Sequence, residues 1–182
     1  MAQLAIRVQQ RRVKMFEKDD FVMYGNAGAC QILDVRKEKF GKDEELYYIM
    51  RPLNGDSSTI YFPVASEKVS MRKLLTSSEA HQLISSLPEI ESEWIEDDQR
   101  RKAHFEQILR EGNRRELAAL VKACYLAREA KQKEGKKLHM VDERMMEKAQ
   151  RLLHGELAQV LDIPVEDVVS YIDKILENLP ES

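Results

Sequence analysis

The chain has 182 residues, 43% apolar and 34% charged, which suits one medium domain or two small ones with a folded core and a well-solvated surface. The net charge of −3 conceals a segregation: residues 99–154 carry fifteen Lys/Arg against eight Asp/Glu, whereas residues 155–182 carry one Lys against seven acids. No apolar run approaches the ~20 residues needed to span a bilayer, and the opening MAQLAIRVQQRRVK lacks the continuous apolar stretch of a secretory signal.

That basic, amphipathic opening reads either as a flexible arm or as a consequence of start-codon choice, since Met15 begins a sensible domain; residues 1–15 are expected to be a flexible leader. Residues 16–75 read as strands. Phe21-Val22-Met23-Tyr24 is short and β-rich and ends at Gly25-Asn26. Residues 29–35 follow Gly28 with Ile32, Leu33 and Val35, and residues 45–51 (ELYYIMR) are dense in aromatic and branched side chains. Leu53-Asn54-Gly55-Asp56 is a turn signal, because Asn-Gly adopts positive φ readily, and residues 58–64 (STIYFPV) close a hairpin with ELYYIMR. A last short run surrounds Val69. Five short strands in some sixty residues fit a small, strongly bent barrel of the SH3 or Tudor kind.

From Thr76 the period changes to that of helices. TSSEAHQLISSLP predicts a short helix capped by Ser77 or Ser78 and stopped before Pro88. PEIESE is an acidic connector, and from Trp94 onward the chain reads as helical, with Phe105, Ile108 and Leu109 on one face and Gly112-Asn113 as the break. Leu117, Leu120, Val121, Cys124 and Tyr125 follow the i, i+3, i+4, i+7, i+8 pattern up to Gly135. Met145, Ala149, Leu152 and Leu153 mark a further long helix; Val165, Val168, Val169, Ile172 and Leu176 mark the last, with Pro164 suited to its first turn. The expected class is α+β: an N-terminal small SH3/Tudor-like β-barrel (residues 16–75), a short helix and acidic linker (76–93), and an all-α bundle of four to five helices (94–182).

Catalytic patterns are missing. The histidines at 81, 104, 139 and 154 stand in no metal-ligand spacing, and no GxSxG or paired Cys/His context exists. Gly25-Asn26-Ala27-Gly28 lacks the GK[ST] ending of a phosphate loop and reads as a turn. Cys30 and Cys124 form no CxxC and read as two reduced thiols of a reducing cytosol. Neither catalysis nor a cofactor or metal is expected.

The basic residues are more informative. Arg100-Arg101-Lys102, Arg110, Arg114-Arg115, Lys122, Arg128, Lys131, Lys133 and Lys136-Lys137 lie in one foldable helical region with acids pushed to its flanks. Attraction to phosphates is the physical gain of that arrangement; a solvated helix face is the plainer reading. Trp94, the single tryptophan, sits at the border in SEWIEDDQRRK. It is either a wedge against a base step or a buried hinge packing the barrel against the bundle.

The run FEKDDFVMYGNAGACQILDV resembles the amino-terminal RNA-polymerase-interacting module of the bacterial CarD/CdnL transcription regulators, a barrel type shared with the transcription-repair coupling factor. Lys102-Ala103-His104-Phe105-Glu106, the Gly112-Asn113 break, the helix of residues 117–125 and the run EKAQRLLHGELA at residues 147–158 resemble that family's carboxy-terminal domain in the same order, so the likeness covers residues 16–161. It implies a barrel that pairs with the lobe of the polymerase β subunit, and a helical domain that touches promoter DNA at the upstream edge of the melted bubble, where a tryptophan wedge stabilises the open complex. Trp94 is the candidate wedge and Arg100, Arg101 and Lys102 the candidate phosphate contacts, although Glu96-Asp97-Asp98 set the ring about one helical turn further from the basic run than in the family pattern. Met50, Ile60, Tyr61 and Pro63 are the candidate polymerase contacts; Tyr61 stands where some members carry an arginine, and Glu38 near the place of another. The resulting expectation is a cytoplasmic, monomeric bacterial transcription regulator with no membrane partner. The alternative is a protein–protein adaptor whose Tudor-like barrel binds a peptide and whose helices have no direct DNA role.

Overall fold

The computed structural model describes residues 16–178 other than 41–42, 54, 56 and 67–70. The expected leader, part of the 53–56 turn and the run around Val69 therefore lie outside the described residues. Among the described residues five strands, β1 (Phe21–Tyr24), β2 (Gly28–Glu38), β3 (Glu45–Pro52), β4 (Ile60–Pro63) and β5 (Met71–Lys73), are followed by five α-helices: α1 (Ser77–Ser86), α2 (Asp98–Glu111), α3 (Arg114–Lys133), α4 (Met140–Leu161) and α5 (Val168–Glu177). The fold is α+β, as the change of hydrophobic period at Thr76 predicts.

The strands form one antiparallel sheet in the order β4-β3-β2-β1-β5, with β4 and β5 at its edges. β3 and β4 make the expected hairpin, Met50 opposite Ile60 and Tyr48 opposite Phe62. The register of β2 against β3 slips between Ile32 and Asp34; the extra residue, Leu33, bends the longest strand. Alternation along the strands sorts side chains between two cores. Val22, Cys30, Ile32, Tyr48, Met50 and Phe62 fill the barrel together with Phe16, whose amide donates to the Tyr48 hydroxyl at 3.1 Å. Met23 and Ala29 point the other way, into a cluster with Phe105, Ile108, Leu109, Ala149 and Leu152 from the helices. The barrel is thus apolar on both faces at β1 and β2, and the bundle covers the outer one.

Helix boundaries follow local chemistry. α1 is capped one residue earlier than expected: Thr76 accepts from the Glu79 amide and Glu79 in turn accepts from the Thr76 amide, a capping box. α2 starts at Asp98, not at Trp94. The Asp97 carboxylate accepts from the Arg100 amide at 2.7 Å, so one of the acids set before the basic run serves as the N-cap. Gly112 closes α2 at φ 66°, a left-handed conformation that suits glycine, and Asn113 caps α3. Pro164 precedes a 3-10 turn over Val165–Asp167 that leads into α5. α4 is the central helix: Met145, Met146, Ala149 and Leu152 enter the cluster shared with the barrel, while Leu153 and Leu157 enter a second cluster with α1 (Ala80, Leu83, Ile84), Ala118 and Val168.

Candidate nucleic-acid interface

Trp94 lies on the irregular segment before α2, so the helical-turn spacing expected for it does not apply. Its ring is half-buried. The Arg101 guanidinium carbon stands 4.2 Å from the ring centroid, a cation–π stack, and Phe105 meets the ring edge-on at 6.4 Å. The indole packs on the cluster that joins barrel to helices. It is therefore neither a free ring nor a fully enclosed one.

Arg101 is a correction to the expected phosphate contacts: the residue is 2% exposed. Nε and Nη2 grip the two oxygens of Asp142 at 3.0 and 2.9 Å, Nη2 also donates to Asp98 at 2.6 Å, and Nη1 donates to the carbonyls of Ile95 (2.6 Å) and Glu96 (3.3 Å). All five N–H donors of a guanidinium are consumed, so none faces a phosphate. Asp142, itself 3% exposed, is the carboxylate that makes a buried arginine tolerable here. Nothing in the run VDERMM distinguishes Asp142 from a surface acid, and sequence reasoning missed it.

Arg100 and Lys102 are exposed, the latter 3.9 Å from Glu106. Two other members of the basic block are structural. Lys122 donates to the carbonyls of Pro88 and Ile90, and Arg114 binds Glu156 and the carbonyl of Lys73. Several of the remaining cations gather at one end of the bundle. The start of α2, the end of α3 and the start of α4 lie together there. The Arg101 hydrogen bond, against a desolvation cost, holds the Asp98 carboxyl below its usual range, and His139 and Lys131 add smaller contributions of the same sign. Lys133, Lys136 and Lys137 extend this end into the α3–α4 connection and are exposed. The Trp94 segment and the 131–139 segment, far apart in sequence, thus share one end of the molecule.

The barrel edge supplies a second surface. Tyr61 on β4 is 42% exposed and Phe40 60%, and Phe40 packs edge-on against both Tyr61 (5.2 Å) and Tyr47 (5.1 Å). Phe40 and Tyr47 escaped the sequence reading because they join Tyr61 only through the hairpin. Pro63 is half-buried two residues beyond Tyr61, and Ile60 packs against the barrel core. Met50 is a second correction: it has no exposed surface and belongs to that core, because alternation along β3, an interior strand between β4 and β2, turns it inward.

Among the described residues no three metal-capable side chains are gathered. Burial pushes the Cys30 thiol up to about 11 and that of Cys124 up to about 12, values at which neither is a nucleophile near neutral pH. No described helix is long and apolar enough to cross a membrane.

The protein is thus built of two parts, a bent antiparallel sheet with an exposed aromatic edge and a helical bundle with a basic, tryptophan-bearing end. Residues 16–75 match the family model described as the CarD-like/TRCF RID domain, and residues 82–173 match that of the CarD C-terminal domain. The chain belongs to the CarD/CdnL family, whose members are RNA-polymerase-interacting transcription factors, the barrel carrying the interaction with the β subunit. Comparison with curated proteins returns no significant match.

Proposed function

We propose that this protein docks on the polymerase β subunit through the edge of its barrel and stabilises the open promoter through the Trp94 end of its helical domain. The carrying observation is the coincidence of a half-buried, stacked indole with exposed cations from separate parts of the chain. Arg100, Lys102, Lys133, Lys136 and Lys137 meet phosphates without regard to sequence, and the open side of Trp94 stacks on a base at the upstream edge of the bubble. On the polymerase side, β4 is an edge strand, able to pair with a strand of the partner while the Phe40–Tyr47–Tyr61 cluster supplies an apolar surface. Docking raises the local concentration of the DNA-binding end, so a modest DNA affinity suffices. Residues 16–75 act as the docking module, 76–93 as its connection to the bundle, and the rest as the DNA-binding module.

The test is Trp94→Ala in a promoter assay with purified polymerase. A half-buried indole predicts a stability loss of about 1–2 kcal/mol, between that of an exposed substitution and that of a buried tryptophan. Polymerase binding is retained, and the open-complex half-life falls about fivefold or more, since stacking on a base is worth roughly 1–3 kcal/mol. A folded variant with undiminished half-life overturns the DNA role and leaves the adaptor reading.

A further inference from the structure

We propose that Arg101 and Asp142 act together as a positioning clamp that holds Trp94 in the orientation in which it meets DNA. The proposal rests on the reading of Trp94 just given. Trp94 lies on an irregular segment, and the two residues after it, Ile95 and Glu96, are outside any regular element. A segment of that kind would carry its ring through many orientations unless its backbone were tied down, and ordering it on DNA would then cost affinity. Arg101 ties it at two levels. One edge of the guanidinium takes the carbonyls of Ile95 and Glu96, and the group lies over the indole itself. The opposite edge takes both oxygens of Asp142, in the first turn of α4, and one of Asp98, in the first turn of α2. The tryptophan segment is thereby fastened to two helices through a single planar group.

The geometry also separates this role from that of a phosphate contact. A residue that met phosphates would need both its charge and its exposure. Arg101 is sealed from solvent, and its planar fork is what the five bonds require. Lysine would keep the charge and lose the fork. Asparagine at 142 would keep the shape of the carboxylate and lose its charge.

The experiment uses full-length Arg101→Lys and Asp142→Asn, alone and combined with Trp94→Ala. As the chain has one tryptophan, acrylamide quenching of its fluorescence reports on that ring alone. Both variants should make the indole more accessible to the quencher while retaining the helical far-ultraviolet signal and polymerase binding. Both should shorten the open-complex half-life to about the extent of Trp94→Ala, roughly fivefold or more, and adding Trp94→Ala should cost nothing further. A merely structural role would lower the melting temperature but leave the half-life unchanged when measured with folded protein. Arg101→Lys with a normal half-life beside a shortened one for Trp94→Ala overturns the clamp alone, as does a double variant whose losses multiply. If Arg101→Lys does not fold, Asp142→Asn decides by the same criteria. An unaltered half-life for Trp94→Ala overturns the promoter reading and the clamp's purpose together.

Discussion

Arg100, Arg101 and Lys102 are consecutive, yet they have three different environments. Arg100 is open to solvent, Lys102 lies within reach of Glu106, and Arg101 is sealed against Trp94. A helix turns about 100° per residue, so a run of three like charges cannot share a face. The consequence is a specific salt dependence. Replacing Arg100, Lys136 and Lys137 with Ala should flatten the slope of log DNA affinity against log salt by about 0.7–0.9 for each phosphate no longer neutralised. Thermal stability should stay nearly unchanged, because these side chains are exposed. A titration of fork-junction DNA across salt concentrations checks it; an unchanged slope would mean that phosphates are met elsewhere on the surface.

At the scale of elements, β4 and α4 have opposite characters. β4 has only four residues, pairs on one side with β3, and ends in a proline, which cannot donate to a ladder. Such an edge is available to a partner strand. Tyr61→Glu puts a charge into the aromatic cluster without touching the barrel core. It should lower affinity for the β subunit roughly tenfold, in the range of an interface residue worth more than 1 kcal/mol, with the fold intact. A pull-down with undiminished β-subunit recovery by the folded variant would remove β4 from the interface. α4, by contrast, is the element on which both halves of the molecule depend. Asp142 near its start fastens the Trp94 segment, and Glu156 near its end fastens the barrel. From one to the other the helix rises about 21 Å.

At the scale of the whole molecule, Glu156 ties the barrel to the bundle alongside the shared apolar cluster. It is 1% exposed and receives both Arg72 of β5 (2.7 and 2.9 Å) and Arg114 of α3 (2.6 and 3.1 Å), together with the amide of Leu75. Arg72 also donates to the carbonyl of Gly112, at the end of α2. Burial opposes the charge on Glu156, but the hydrogen bonds from Arg72 and Arg114 outweigh it and hold the carboxyl below its usual range. A folded-state value below the unfolded one contributes stability that is fully present above the ordinary value of 4.5 and is lost as pH falls through the lower folded value. Glu156→Gln should therefore cost about 3–5 kcal/mol near neutral pH, where it leaves two largely buried guanidiniums without their carboxylate. Its deficit against the parent protein should narrow as pH falls below about 4.5. Chemical denaturation of both proteins at neutral and acid pH measures this; a deficit independent of pH would mean that packing, not charge, is what Glu156 supplies.

The sequence by itself determined what depends on near neighbours. The β-rich run FVMY, the aromatic and branched side chains of ELYYIMR, the switch of period at Thr76, Gly112 as a helix end and the apolar spacing of α3 and α4 are local signals, and the elements follow them. The ordered likeness of both halves was enough to identify the CarD/CdnL family. Boundaries that turn on a single hydrogen bond were less legible: Thr76 took the cap expected of Ser77 or Ser78, and Asp97 moved the start of α2 beyond Trp94. The tertiary structure alone decided which charges are used up inside. Arg101 and Arg114 read as surface cations, because nothing local reveals that Asp142 and Glu156, each some forty residues away, will reach them. Likewise Met50 looked available on its strand until β2 and β4 closed on either side of it. Burial is a property of the assembled chain: a charged side chain or a methionine turns inward when a distant residue arrives to cover or neutralise it, and its own neighbours in sequence carry no record of that partner.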